Sequence, residues 1–160
     1  ISWRGPQKMG AISEMLEGIE WGEIDFLVVD LPPGTGDETL SIAQNIGPDA
    51  KAVVVTTPQD VSLLDSRRTV KFARLLNLKL LGIVENMSGF VCPDCGKEVN
   101  IFKKGGAEKM AEETKSNFLG SIPMDVSIVE AGDTGIPYVG TDSMAARKMN
   151  SIITNLLEQL

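Results

Sequence analysis

The sequence predicts an α/β domain, a doubly wound and mostly parallel sheet with flanking helices. Three observations carry the prediction. Short apolar runs alternate with stretches of helical period. The runs are nearly continuous in apolar character, as in strands covered on both faces. Clusters of Gly, Pro, Asp and Asn follow directly on them, which is where open parallel sheets place ligands. With 160 residues, 42% of them hydrophobic, the chain can bury one ordinary core, so a single domain over 1–160 is expected.

From Lys8 to Glu20, apolar Met9, Ile12, Met15, Leu16 and Ile19 fall at helical spacing opposite Glu14, Glu17 and Glu20. The run 24–29 (Ile-Asp-Phe-Leu-Val-Val) is expected as a buried parallel strand, and 37–45 as the helix after it. A second strand, 52–56, is stopped by Thr57-Pro58. Asp60 is then expected as the N-cap of a helix reaching about Leu76. A third strand covers 78–84, and 86–103, with both cysteines, is expected as a loop or small hairpin. A helix near 107–114, a short strand at 118–122 and a terminal helix from about Ser143 to Leu160 complete the count. Three unusual segments, 30–37, 56–60 and 85–88, each follow a predicted strand, which points to one shared site.

Composition excludes several classes. Fifteen Lys and Arg against 22 Asp and Glu give a formal charge of −7, which disfavours nucleic acid and anionic membranes as partners. No apolar run approaches the roughly 18 residues that span a bilayer, and no signal-peptide pattern opens the chain, so a cytoplasmic location is expected. Cys92 and Cys95 are the only thiols, and there is no histidine. A structural zinc site takes four such ligands, so the pair is a redox dithiol, an ordinary surface turn, or half of a site shared with another chain.

Residues 27–37 read Leu-Val-Val-Asp-Leu-Pro-Pro-Gly-Thr-Gly-Asp. An apolar run ending in Asp30 is how P-loop NTPases aim a carboxylate at Mg²⁺. Pro33, Gly34 and Gly36 would let the following backbone approach a γ-phosphate closely. Asn86, just after a strand, has an amide able to read a purine edge or to satisfy local backbone. The spacing of Cys92-Pro93-Asp94-Cys95 lets both sulfurs face one metal, suiting iron–sulfur chemistry or zinc. The pair does not open a helix, as a thioredoxin-like dithiol would. Asp60, Asp65, Arg67 and Arg68 read as a cap followed by a solvated helix face.

The string 30–37 resembles the switch II segment of the Mrp family, iron–sulfur carrier ATPases within the MinD/ParA group of P-loop proteins. Residues 3–6 (Trp-Arg-Gly-Pro), 54–60 (Val-Val-Thr-Thr-Pro-Gln-Asp), 82–88 (Gly-Ile-Val-Glu-Asn-Met-Ser) and 92–96 (Cys-Pro-Asp-Cys-Gly) are similar to further signatures of that family, in the family's order. The resemblance implies an ATP-binding carrier that holds a 4Fe–4S cluster between two subunits and passes it to apo iron–sulfur proteins. In it Asp30 would orient Mg²⁺, Pro33, Gly34 and Gly36 would follow the γ-phosphate, Asn86 would contact adenine, and Pro123 and Asp125 would line the base. Cys92 and Cys95 would ligate iron, with Zn²⁺ able to substitute, and the helix after Asp60 would lie near the dimer contact. Two other readings share these residues. One is a MinD/ParA-like positioning ATPase, which would want a Lys-rich amphipathic terminal helix. The other is a zinc-bridged structural dimer.

The family's glycine-rich phosphate loop has no match here, since no G-x-x-x-x-G-K-[ST] string occurs. Lys104-Gly105-Gly106 is superficially similar but reads as a turn and helix start. ATP hydrolysis is therefore expected of a longer protein, with roughly a hundred residues bearing the loop and a central strand ahead of Ile1. Without that strand, the sheet should expose apolar edges.

Overall fold

The computed structural model describes residues 5–92, 95 and 97–160. Trp3-Arg4 of the first signature and Pro93, Asp94 and Gly96 of the cysteine motif lie outside the described residues. The chain opens with helix α1 (Gly5–Glu17) and helix α2 (Asp37–Ile46). It then alternates β1 (Lys51–Thr56), α3 (Asp60–Leu75) and β2 (Lys79–Glu85), followed by a two-stranded hairpin of β3 (Phe90–Val91) and β4 (Glu98–Val99). Helix α4 (Gly106–Glu113), strand β5 (Phe118–Ser121), helix α5 (Val126–Thr134) and helix α6 (Met144–Leu157) follow. The strands β1, β2 and β5 form one parallel sheet in the order β1-β2-β5.

β2 lies at the centre, and its residues 81–85 are all buried. Because side chains alternate across a strand, Ile83 enters one core with Val54, Leu63, Val70 and Met110, under α3 and α4. Val84 enters the other with Leu119, Ala145 and Ile152, under α6. Fully burying a side chain such as Ile83 is worth about 1.5–3 kcal/mol. β2 and β5 touch so closely at Gly82 that a Cβ there would meet Leu119 Cγ at 2.6 Å and the Asn117 carbonyl oxygen at 2.8 Å. That carbonyl accepts the Ile83 N–H at 2.9 Å.

The run 24–29 departs from expectation. It forms no strand, and Val28 is 89% exposed. A strand needs a neighbour for its N–H and C=O groups, and this run pairs with no strand of the sheet. Val53 and Val55, on the face of β1 turned away from its buried residues, are also exposed, at 38% and 59%. Apolar surface on this face of β1 is thus only partly covered among the described residues. α1 and α2 instead pack on each other, joined by Lys8–Glu38 at 2.6 Å and by Ser13 to Asn45 at 2.9 Å. Between them and residues 27–32 lies an open apolar cleft of about 370 Å³ that includes Trp21, Val28 and Asp30.

Two helix starts also differ from expectation. Gln59, not Asp60, occupies the N-cap of α3, and Asp60 turns to Lys103 at 2.6 Å. The Lys103 ammonium holds the Asp60 carboxyl below its ordinary value. Helix α5 was not anticipated. Its N-cap is Asp125, whose Oδ1 accepts the Ser127 N–H at 2.9 Å while Oδ2 accepts the Ala145 N–H at 3.4 Å, in the first turn of α6. One carboxylate thus serves the starts of two helices, where negative charge is favoured. Partial burial pushes the Asp125 carboxyl up, but the Ser127 N–H and hydroxyl and the Ala145 N–H outweigh it and hold it below the usual range.

Gly82→Ala is expected to lower stability by about 1–3 kcal/mol, the usual cost of overpacking, read as a lower denaturant midpoint with an unchanged slope. A neutral result would mean that β2 and β5 are less tightly apposed than described. Asp125→Ala should cost about 1 kcal/mol near neutral pH by loss of the cap. Because the folded-state value is depressed, the carboxylate's contribution is complete above the unfolded value near 3.9 and is lost as pH falls through the folded one. The gap between wild type and Asp125→Ala should therefore narrow in acid. A gap independent of pH would remove the charge from the account.

Candidate functional site

The carboxyl edge of the sheet carries the site. Past the end of β2, the Asn86 N–H still donates to the Thr56 carbonyl of β1 at 2.7 Å, extending the ladder by one residue. Met87 then turns the chain with φ +56°, and its N–H donates to Asn86 Oδ1 at 2.9 Å. That bond orients the Asn86 side chain and leaves Nδ2 as a donor on a half-buried residue.

The chain after β5 zips alongside. Ile122 N–H donates to Glu85 O at 2.8 Å, Ser88 N–H to Ile122 O at 2.9 Å, and Met124 N–H to Gly89 O at 2.9 Å, with Phe90 bridging Met124 in parallel. Donors from this segment recur every second residue, so Pro123 falls where an N–H would point away from the partner, and its missing donor costs nothing. Asn86, Pro123 and the root of the cysteine hairpin consequently share one ledge.

In the hairpin, Phe90 pairs with Val99 and Val91 with Glu98. The Cys92 N–H donates to the Lys97 carbonyl at 3.0 Å, closing the tip. Cys92 is half-buried, Cys95 is exposed, and neither is in a disulfide. No group of three or more potential ligands gathers anywhere among the described residues. Two thiols on a short hairpin can hold two coordination positions of a metal centre, and a four-thiolate site needs two more from elsewhere.

Sequence reasoning gave Glu85 no role beyond its place in a signature. Its carboxylate is wholly buried yet fully partnered. Oε1 accepts the Ser88 hydroxyl at 2.6 Å and the Gly105 N–H at 2.8 Å, and Oε2 accepts the Ala107 N–H at 2.7 Å. Gly105 is left-handed, φ +80°, directly before the first residue of α4, and this turn aims the Gly105 and Ala107 N–H groups at one anionic group. Gly106 must lack a Cβ, which would meet the Pro58 carbonyl oxygen at 2.8 Å. The loop-like string 104–106 is therefore a turn and helix start, as expected, and its anion is the protein's own Glu85. The legible signal was an acidic residue closing the apolar run 80–84, which demands buried partners.

Asp30, Pro33, Gly34 and Gly36 are not brought to this ledge. They lie between α1 and α2, on a segment absent from both core clusters. Asp30 is exposed and Gly34 has φ +99°. Of the three segments expected to converge, only 56–60 and 85–88 follow strands and meet. On α3, Asp65 and Arg68 form an exposed pair at 3.0 Å, and Arg67 grips Glu113 of α4 at 2.7 Å.

Comparison with known proteins extends this geometry. A family model described as ParA, NUBPL iron-transfer P-loop NTPase, matches residues 1–157. An iron-sulfur cluster carrier protein of Methanocaldococcus jannaschii is 48% identical over 160 residues, 100% of this chain and 55% of its own length. The cytosolic Fe-S cluster assembly factor nubp2 of Danio rerio is 45% identical, over 100% of this chain and 61% of its own. The chain thus spans little more than half the length of these relatives. Among solved structures, a nucleotide-binding protein of Archaeoglobus fulgidus in complex with ADP superposes with TM-score 0.70 at 39% identity, covering 79% of this chain and 52% of that one. The cell division ATPase MinD of Pyrococcus furiosus superposes with TM-score 0.68 at 19% identity, covering 98% and 60%, which speaks to the fold. The parallel sheet with flanking helices is that of the MinD/ParA-like P-loop NTPases, and the chain belongs to the NUBPL iron-transfer P-loop NTPase family.

Proposed function

We propose that this chain is the cargo-holding part of an ATP-dependent iron–sulfur cluster carrier, acting in the cytoplasm. Its cargo is a 4Fe–4S cluster held by Cys92 and Cys95 together with the same pair of a second copy, and its acceptors are apo iron–sulfur proteins. The observation that carries the reading is the root of the cysteine hairpin. It grows from the ledge that holds Asn86 and Pro123, so a nucleotide base on that ledge and a cluster on the hairpin would be joined through a few backbone hydrogen bonds. The names of the relatives support the cargo, and ADP in the Archaeoglobus structure supports the nucleotide.

The residues divide the work. Asn86 Nδ2 can donate to a purine ring nitrogen, with its orientation fixed by the Met87 N–H. Pro123 offers an apolar flank for the base. Asp125, as a double cap, acts by fixing the chain just after Pro123. Asp30 is an exposed carboxylate three residues before the bend at 33–35, which suits a hydrated Mg²⁺, and Pro33, Gly34 and Gly36 leave backbone room beside a phosphate. When bound, ATP with Mg²⁺ supplies the free energy of hydrolysis. The Gly105 turn is already filled by Glu85 and so is not the phosphate cradle. Two soft thiolates on an exposed tip suit a labile cluster, and Zn²⁺ would be accepted by the same ligands.

The positioning-ATPase alternative finds no support in α6. That helix buries Ala145, Ala146 and Ile152 against the core, and Arg147 pairs with Asp142 at 2.7 Å.

Anaerobic reconstitution of the full-length protein with iron and sulfide should give a broad absorption band near about 400 nm. The band should be lost in Cys92→Ala and Cys95→Ala, and the loaded protein should restore an apo-acceptor's activity. A band that survives both substitutions would overturn the assignment. Stoichiometric zinc with no cluster in a folded, reduced sample would favour the structural dimer.

A further inference from the structure

We infer that Glu85 is a positioning residue that latches both ends of the cysteine-bearing segment to the central strand, and so sets where Cys92 and Cys95 stand relative to Asn86. The inference rests on the carrier reading for its consequence, but its geometry stands alone. Oε1 of this one buried carboxylate takes the Ser88 hydroxyl, at the entrance to the hairpin segment, and the Gly105 N–H, at its exit. Oε2 holds the Ala107 N–H, fixing the first turn of α4 behind the exit. The backbone carbonyl of the same residue accepts from Ile122, beside Pro123.

Between Ser88 and Gly105, the anchors to the rest of the fold among the described residues include the Met124 N–H on the Gly89 carbonyl, the Phe90–Met124 bridge and the exposed Lys103–Asp60 pair. The hairpin strands are two residues each, and Val91, Cys95, Val99 and Ile101 are exposed. So short a hairpin is marginal by itself, and its placement must come from its ends. A hydroxyl and two amides converging on a buried carboxylate are charge-assisted hydrogen bonds, the strong kind. The left-handed Gly105 and the helix N-terminus behind it add their dipoles. An uncharged isostere cannot reproduce this. The amide of Glu85→Gln would set its own N–H groups against at least one of three donors, leaving a buried donor unmet.

The test measures hydrogen–deuterium exchange of the metal-free, full-length protein, comparing Glu85→Gln and Ser88→Ala with wild type. Amides of 87–104 should exchange about tenfold faster or more in each variant, while those of β1 and the first half of β2 keep their wild-type rates. Ser88→Ala leaves both α4 donors on the carboxylate, so it decides the matter if Glu85→Gln fails to fold. Unchanged exchange in 87–104, or equal acceleration throughout the core, would overturn the latch. In the iron-loaded protein, the same variants should release iron to a chelator faster by a comparable factor. If exchange responds but wild type binds no cluster, the latch stands and the carrier reading falls. If wild type binds the cluster and exchange does not respond, the reverse holds.

Discussion

Strand β2 has a neighbour on each edge and cover on each face, and the site inherits its rigidity from that strand. Ile83 and Val84 commit its two faces to separate cores. Gly82 lets β5 approach closely enough for the Asn117 carbonyl to meet the Ile83 N–H. The next two residues are Glu85 and Asn86, a buried carboxylate and a half-buried amide at the carboxyl end of the central strand. The exposed hairpin beyond them, with strands of two residues each, has little order of its own to contribute. Placement of the thiols is thus imposed from below, through the Glu85 carboxylate and the bonds between residues 85–90 and 122–124.

On the proposed reading, this arrangement separates two needs of a carrier. Cargo ligands must be exposed enough to hand over what they hold, which an exposed Cys95 satisfies. They must also respond to events elsewhere, which requires a stiff connection. A ledge made of backbone hydrogen bonds, with Asn86 and Pro123 at one end and Phe90 at the other, would on the proposed reading be a short path between nucleotide and cargo. Asp125 secures that path from behind by tying α5 to α6.

The elements β1, β2, α4 and β5, whose partners lie within residues 51–160, were legible in the sequence to within a residue or two, because their burial and hydrogen bonding are both satisfied locally. The run 24–29 was not, since an apolar pattern specifies a strand only where a neighbouring edge exists. α5 escaped notice because it is nine residues long and ends in Gly132, Asp133 and Thr134, poor helix formers; its capping Asp125 had been assigned to a base. Asp60 was misplaced by one residue at a helix start, the scale at which such boundaries blur. The cysteines and Asn86 were visible because their chemistry is unusual for their positions. The partners of Glu85 were not, because Ser88 and Gly105 are ordinary residues until the fold brings them to one oxygen.

The central claim is that these two thiols carry a cluster shared with a second copy. Native mass spectrometry of the anaerobically loaded, full-length protein tests it most directly. A dimer carrying about four irons and four sulfides, reverting to metal-free monomer in Cys95→Ala, is the predicted result. A monomer that keeps a complete cluster, or a Cys95→Ala dimer that still carries one, would contradict it.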